Sequence, residues 1–205
     1  EVVYKQFGET KKIKGDKLIS AIPNTLLRFV EISPVFSPEK TKIIKQMGYG
    51  SLSRLTFQIN KRYWMEQGFN GFGYTDIGAE IWHPTFDKEA ARGLLQLYLY
   101  GTASQLVSSM TPTQQENYGI NQINRVFPGL KNYLEGVYAH CWDNDPWARG
   151  ASRTIHPGQV VEFHLNMSRA EGNVHFAGEH TSTYTAYMNG AIESGIRVAK
   201  EVNES

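Results

Sequence analysis

The sequence has 205 residues, a formal net charge of +1, and 40% hydrophobic and 12% aromatic residues. This length suits one large domain or one and a half small ones, and the aromatic content allows a sizeable core. The near-neutral charge gives no electrostatic reason to expect a nucleic acid or an anionic membrane as a partner, and no apolar run is long enough to span a bilayer.

Two features of the sequence bear on where the protein resides and how it is made. Cys141 is the single cysteine, so no internal disulfide can form, and a reducing compartment is indicated. No signal peptide is visible, and we therefore expect a cytoplasmic protein. The first residue is Glu1 rather than methionine, and Val2 enters directly as a strand. We expect a fragment, a processed subunit or a shortened chain.

The first fifty residues predict a small strand meander followed by helices. Residues 2–22 alternate in hydrophobicity with glycine-containing turns between the apolar runs, and Pro23 ends this pattern. Ser37, followed by a proline, is a typical helix start, and that helix should end near Gly48.

The middle of the chain predicts a sheet with helices mixed into it. Thr111 begins a capping-box pattern that opens a helix. The predicted strands cover residues 52–59, 81–84, 94–100 and 133–142, and the predicted helices cover 102–110 and 111–126. The expected fold class is α+β, with a mixed, largely antiparallel sheet and helices on one side.

The last thirty or so residues predict a strand, a turn and a helix. Asn173 to Ala177 has the pattern of a short buried strand; Gly178 then allows a turn, and Glu179 places an acid at the strand exit. A helix from about Ala186 follows, and a helix N-terminus beside such a turn suits an electron-rich group. On spacing alone, the segment could equally be one that only closes a sheet. The predicted apolar face of the helix consists of Ala191, Ile192, Gly195, Ile196, Ala199 and Val202.

The wording of this segment, FAGEHTS followed by YMNGAIESGIRVA, resembles the C-terminal flavin-binding signature of the flavin amine oxidases. That family includes L-amino acid, monoamine and polyamine oxidases, and the resemblance is closest to the L-amino acid oxidases. It implies a strand meander of the FAD-binding domain at 1–24, a substrate-binding domain at 25–160, and a C-terminal strand and helix of the FAD-binding domain at 161–205. The family's G-x-G-x-x-G fingerprint does not occur here. An upstream FAD-binding segment or chain is therefore an expected partner.

The resemblance also implies which residues contact the cofactor, FAD. Glu179 matches an acid at its ribityl or pyrophosphate region, Tyr187 matches an aromatic wall, and Trp142 matches a tryptophan beside the flavin ring. The full implied cofactor set is Gly178, Glu179, Trp142, Ala186, Tyr187, Met188, Asn189, Gly190 and Ala191. The implied substrate-binding set is Tyr100, Trp147, Ala186 and Tyr187.

Two positions concern the chemistry itself. Arg54 stands where the family usually has a lysine that holds a water at the flavin and assists the reaction with oxygen; an arginine stays charged and cannot act as a tunable base. We take Arg54 as the candidate catalytic residue, with a structural ion pair as the alternative. Tyr100 matches a tyrosine that hydrogen-bonds the substrate carboxylate in the L-amino acid oxidase branch. A strand-end tyrosine exposed to water is the alternative.

The resemblance implies an enzyme that oxidatively deaminates an L-amino acid by hydride transfer to FAD, giving a keto acid, ammonia and hydrogen peroxide. The alternatives are a monoamine or polyamine oxidase and a non-catalytic subunit. We expect a small amine or amino acid as the ligand and no nucleic acid or membrane partner, with a homodimer as one option for assembly. The six histidines show no metal-ligand spacing, so we expect no metal site.

Overall fold

A computed structural model describes residues 1–205. The first part of the chain forms two helices and four short strands. Their bounds are β1 Val2–Gln6, β2 Glu9–Ile13, β3 Leu18–Ser20, α1 Asn24–Leu27, α2 Pro38–Gln46 and β4 Gly48–Tyr49. As expected, Ser37 caps α2, its hydroxyl accepting the amide hydrogen of Lys40 at 3.2 Å.

The middle part carries the longest strands. Its elements are β5 Leu52–Ile59, α3 Tyr63–Glu66, β6 Gly73–Tyr74, β7 Glu80–Trp82, β8 Gly93–Tyr100, α4 Gly101–Ser108, α5 Pro112–Val126 and β9 Leu134–Cys141. The capping box predicted at Thr111 is present, with its side chain and that of Gln114 each bonded to the other's backbone amide.

The last part returns to short elements and ends in the longest helix. Its elements are β10 Arg153–Thr154, α6 Val160–Met167, β11 Val174–Phe176 and α7 Met188–Glu204. None of the helices is long and apolar enough to cross a membrane.

The chain folds into two compact units, one made of residues 1–49 and 152–205 and the other of residues 50–151. These limits differ from the predicted domain boundaries, because residues 25–49 and 152–160 pack with the chain ends. Strand β4 pairs with β10, and α2 packs on α6 through Ile43 and Phe163. Which unit binds flavin and which binds substrate stays a prediction.

In the first unit, the strand predicted at residues 18–22 is present as β3, but its predicted place as the third strand of a meander was wrong. Only β1 and β2 form an antiparallel hairpin, whereas β3 pairs in parallel with β11, from Leu18 opposite Val174 to Ser20 opposite Phe176. A parallel partner more than 150 residues away leaves no local sequence signal, since no turn joins the two strands.

A buried lysine connects α2 to α6 and β11 in this unit. The ammonium group of Lys40 donates to the carbonyl oxygens of Asn166 at 2.7 Å and Met167 at 2.8 Å, at the C-terminal end of α6. It also lies 4.0 Å from the ring centre of Phe176. Burial lowers the pKa of Lys40 to about 8. The charge is therefore held by carbonyl dipoles and an aromatic face rather than by a close carboxylate.

The second unit is built on an antiparallel five-stranded sheet in the order β6-β7-β8-β5-β9. Residues alternate across it, so Leu55, Phe57 and Leu97 face a core that also contains Ile120 and Ile123 of α5. The opposite face of the sheet carries polar and aromatic side chains. The predicted α+β class with helices on one side is confirmed.

Helix α5 approaches the sheet closely at Gly119. A Cβ atom added there would lie 2.5 Å from Cζ of Phe57 and 2.8 Å from Cδ2 of Leu55. Glycine at this position therefore fixes the distance between the helix and the sheet.

We expect Gly119→Ala to destabilise the protein by about 1–3 kcal/mol, because both neighbours are fully buried and cannot move aside freely. Denaturant unfolding measures the effect. Gly136→Ala is the matched control in the same unit, since a Cβ atom there meets nothing within 4 Å. Equal stability of the two variants would show that α5 is not held at this distance.

Candidate functional site

The first group of predicted site residues lies in the turn between β11 and α7. Gly178 has φ of +110°, a backbone conformation that L side chains rarely adopt. Its amide donates to the hydroxyl of Ser194 at 2.9 Å. The glycine thus lets the chain leave β11 and contact the middle of α7 directly.

Glu179 holds this turn together through its two carboxylate oxygens. Oε1 accepts the backbone amide hydrogen of Arg153 at 3.2 Å, and Oε2 accepts that of Ala186 at 2.7 Å. Ala186 has φ of +66°, so the carboxylate fixes a residue in an unfavourable backbone conformation. The half-buried side chain is an organising acid, and the predicted contact with a cofactor stays a prediction.

The neighbouring arginine fills the space beneath the turn. The guanidinium of Arg153 donates to the carbonyl oxygens of His180 at 3.2 Å and Ser182 at 3.0 Å. His180 is 5% exposed, and burial, reinforced by the positive charges of Arg153 and Lys40, lowers its pKa to about 4. The imidazole is therefore neutral at physiological pH.

Helix α7 begins without a side-chain cap. Tyr187 occupies the N-cap position and makes no capping hydrogen bond, while the amides of Gly190 and Ala191 reach back to its carbonyl oxygen. The amides of Met188 and Asn189 have no backbone acceptor, as is usual in a first helical turn. The side chains of Tyr187 and Met188 are 72% and 82% exposed. Helix α7 has seventeen residues, and its accessible, uncapped N-terminus suits an electron-rich group.

The prediction of which face of α7 packs against the protein was wrong, because the helix is rotated about its axis relative to that prediction. Ile192 and Ile196 are 63% and 57% exposed, whereas Gly190, Ser194 and Val198 are buried. The turn sets this rotation, because Ser194 receives the Gly178 amide and a Cβ atom on Gly190 would collide with the Tyr184 carbonyl. Hydrophobicity alone ranks glycine and serine below isoleucine, so the sequence pattern could not identify the buried face of α7.

The second group of predicted residues lies on the open face of the five-stranded sheet. Arg54 of β5 stands opposite Tyr98 of β8, its Cζ 4.5 Å from the ring centre and its Nη2 donating to the phenol oxygen at 3.1 Å. The ring of Tyr98 also contacts that of Tyr100, with centroids 4.7 Å apart. Arg54 and Tyr100 are therefore brought to one surface, as the predictions require, with Tyr98 between them.

Tyr100 keeps its proton throughout the physiological range. Partial burial raises the pKa of its hydroxyl, and the negative charge of Glu80 raises it further. A phenol in this state is a hydrogen-bond donor.

The two tryptophans differ in environment. Trp142 is half-buried, and its ring meets that of His140 edge-on at 4.4 Å. His140 stands opposite Arg54 in the sheet, so Trp142 lies beside the open face. Trp147 is 81% exposed. His83, in contrast to its neighbour Trp82, is buried against Trp64 and does not face this surface.

Sequence reasoning missed Tyr98, Glu80 and Arg153. Tyr98 could have been found from strand alternation, since it is two residues from Tyr100 and must share its face. Glu80 and Arg153 gave no such signal, because their neighbours come from distant parts of the chain.

A model of the flavin containing amine oxidoreductase family matches residues 3–203. The chain belongs to this family. The expected flavin cofactor, FAD, is therefore confirmed for it. The free amides at the start of α7 and the exposed Tyr187 fit such a group, because the amides can stabilise negative charge at its carbonyl edge.

The relatives of this chain include YobN of Bacillus subtilis (strain 168), 30% identical over 208 residues. The flavin-dependent L-tryptophan oxidase RebO of Lentzea aerocolonigenes is 28% identical over 201 residues. The matches cover 98% and 93% of this chain but only 43% and 42% of the relatives. The chain thus spans less than half of their length.

Two solved structures share the fold. Cyclohexylamine oxidase from Brevibacterium oxydans IH-35A superposes with a TM-score of 0.84 at 18% identity, covering 98% of this chain and 45% of that one. Putrescine oxidase bound to putrescine gives 0.83 at 17% identity, covering 92% and 43%. At this identity the likeness concerns the fold alone.

We expect Gly190→Ala to disturb the turn and weaken flavin binding, because its Cβ atom would collide with the backbone of Tyr184. Gly195→Ala is the control in the same helix: a Cβ atom there meets nothing, and alanine should stabilise α7 by up to about 1 kcal/mol. Thermal unfolding and the flavin content after purification measure both effects. If the Gly190 variant retained full stability and flavin content, the close packing of this turn would be disproved.

We expect the protein to lose stability on acidification because of His180. The folded-state pKa of about 4 lies below the ordinary 6.5. As the pH falls from 6.5 towards 4, the His180 imidazole therefore binds a proton in the unfolded chain but not in the folded chain. This linkage removes about 2 kcal/mol of stability between pH 7 and pH 5. Urea unfolding at the two pH values should show a smaller loss for His180→Gln, which cannot titrate. An unchanged pH dependence in that variant would contradict the assignment.

Proposed function

We propose that this chain is the C-terminal portion of a flavin-dependent oxidase that deaminates an L-amino acid. The observation that carries this proposal is the open sheet face, where Arg54, Tyr98 and Tyr100 gather a permanent positive charge and phenol groups. A substrate carboxylate needs both a charge and donors, whereas a simple amine needs neither.

In this proposal each residue has a distinct task. Tyr100 donates its hydroxyl hydrogen to the substrate carboxylate, and Arg54, held on the ring of Tyr98, supplies fixed positive charge. The amides at the start of α7 stabilise negative charge on the flavin by roughly 0.3–2 kcal/mol. Glu179 keeps those amides in place by holding Ala186. Trp142, Trp147, Ala186 and Tyr187 are proposed as walls of the cofactor and substrate sites.

A bound flavin would supply the redox chemistry: it would take a hydride from the α-carbon of the substrate while the nitrogen loses a proton, water would hydrolyse the imine to a keto acid and ammonia, and oxygen would reoxidise the flavin to give hydrogen peroxide. Arg54 cannot relay protons as a lysine can, so its contribution to the reaction with oxygen is electrostatic. An upstream flavin-binding segment completes the cofactor site. A cytoplasmic location and a homodimer stay predictions.

The Tyr100→Phe variant tests the substrate class. In the flavin-loaded protein, the variant should raise KM for L-amino acids by about tenfold, because it removes one hydrogen bond to a charged group. Amines that lack a carboxylate should be affected little. Steady-state peroxide production with matched pairs, such as L-norleucine and pentylamine, gives both values.

The Tyr4→Phe variant is the control, since it removes the hydroxyl of an exposed tyrosine in the β1–β2 hairpin, which carries none of the proposed site residues. Equal effects of Tyr100→Phe on the amino acid and the amine would favour a monoamine or polyamine oxidase. Absence of visible flavin absorbance and of peroxide with either substrate would favour a non-catalytic subunit.

A further inference from the structure

One row of side chains crosses all five strands on the open face of the sheet. Pairs in register point to the same face, so Arg54, Tyr98 and Glu80 follow one another across β5, β8 and β7. His140 of β9 and Tyr74 of β6 extend the row at its two ends. The row thus places a cation and an anion on either side of one aromatic ring.

The carboxylate of Glu80 has no basic partner in the chain. Its Oε2 accepts the indole hydrogen of Trp82 at 2.7 Å, and the Tyr100 hydroxyl lies within hydrogen-bond reach of the carboxylate. Glu80 forms none of the protein's ion pairs. Arg54, the cation of the same row, is engaged on Tyr98. The carboxylate is therefore open to a cation from outside the chain.

Aromatic rings surround this carboxylate. The rings of Trp82 and Tyr98 have centroids 6.2 Å apart, and those of Tyr98 and Tyr100 are 4.7 Å apart. Trp82 and Tyr100 remain 47% and 43% exposed, so their faces are accessible. A carboxylate among indole and phenol rings attracts an ammonium or guanidinium group through both its charge and the ring quadrupoles.

The spacing of the charges indicates how such a ligand would lie. Neighbouring strands are about 4.8 Å apart, which puts Arg54 and Glu80, two strands apart, at about 10 Å backbone separation. An extended molecule with a carboxylate at one end and a cation at the other matches this separation of charges.

We propose that Glu80, with the ring faces of Trp82 and Tyr98, binds the side-chain cation of the substrate, so that the preferred substrates are basic amino acids. The statement that basic amino acids are substrates rests on the proposed function. The binding of a cation at Glu80 does not depend on it. Arg54 takes the carboxylate end of the molecule, and Glu80 selects against side chains that are neutral or acidic.

The test uses two ligands that lack the α-amine, 6-aminohexanoate and hexanoate, which differ only in the terminal ammonium. Calorimetric titration of the flavin-loaded protein should give about tenfold tighter binding of 6-aminohexanoate, the value of one hydrogen bond to a charged group. Glu80→Gln should abolish this difference and leave hexanoate binding unchanged, because glutamine still accepts the Trp82 hydrogen. Glu80→Asp keeps the charge and should retain most of the difference.

Glu116→Gln is the control for net charge, since Glu116 lies exposed on α5, which packs on the opposite face of the sheet. In parallel, kcat/KM should be higher for L-lysine than for L-norleucine, and Glu80→Gln should remove this difference. Equal binding of the two ligands, or a difference that survives in Glu80→Gln, overturns the cation site even if L-norleucine is oxidised well. A preference for 6-aminohexanoate that depends on Glu80, without oxidation of any amino acid, supports the site and overturns the proposed function instead.

Discussion

The turn between β11 and α7 depends on the two hydrogen bonds that the Glu179 carboxylate accepts. The carboxylate binds the amide of Arg153 on one side and that of Ala186 on the other, and so joins β10 to the loop that opens α7. These hydrogen bonds stabilise the positive φ angle of Ala186, which is otherwise unfavourable. The start of α7, with its uncapped amides, is therefore positioned by one side chain.

The same turn explains the small residues around it. Gly178 and Gly190 let backbone approach backbone, and Ser194 supplies the acceptor that a glycine cannot. Arg153 fills the space below with hydrogen bonds to the carbonyl oxygens of His180 and Ser182, beside the buried, neutral imidazole of His180. A polar, hydrogen-bonded base of this kind holds a loop rigidly, and the proposed contact of this helix terminus with the cofactor requires such rigidity.

In the second unit, helices cover only one face of the sheet. Helices α4 and α5 cover one face and supply its core, so the other face is free to carry Arg54, Tyr98, Tyr100 and Glu80 in fixed register. Side chains on a sheet are spaced by the backbone ladder and need no loop to align them. The stacking of Arg54 on Tyr98 shows how a flexible side chain becomes fixed in such a row. Binding chemistry on this face would thus be preorganised by the hydrogen bonds of the strands.

The sequence by itself determined what depends on local pattern. The capping box at Thr111, the cap at Ser37, the long strands β5 and β8, and the strand, glycine turn and helix of the family signature all follow from neighbouring residues. Tertiary structure alone decided the features that join distant residues. These are the parallel pairing of β3 with β11, the rotation of α7 onto Gly190 and Ser194, and the position of Glu80 two strands from Arg54. The physical reason is that periodicity reports which residues share a face of one element, whereas contacts between elements depend on packing that no single segment encodes.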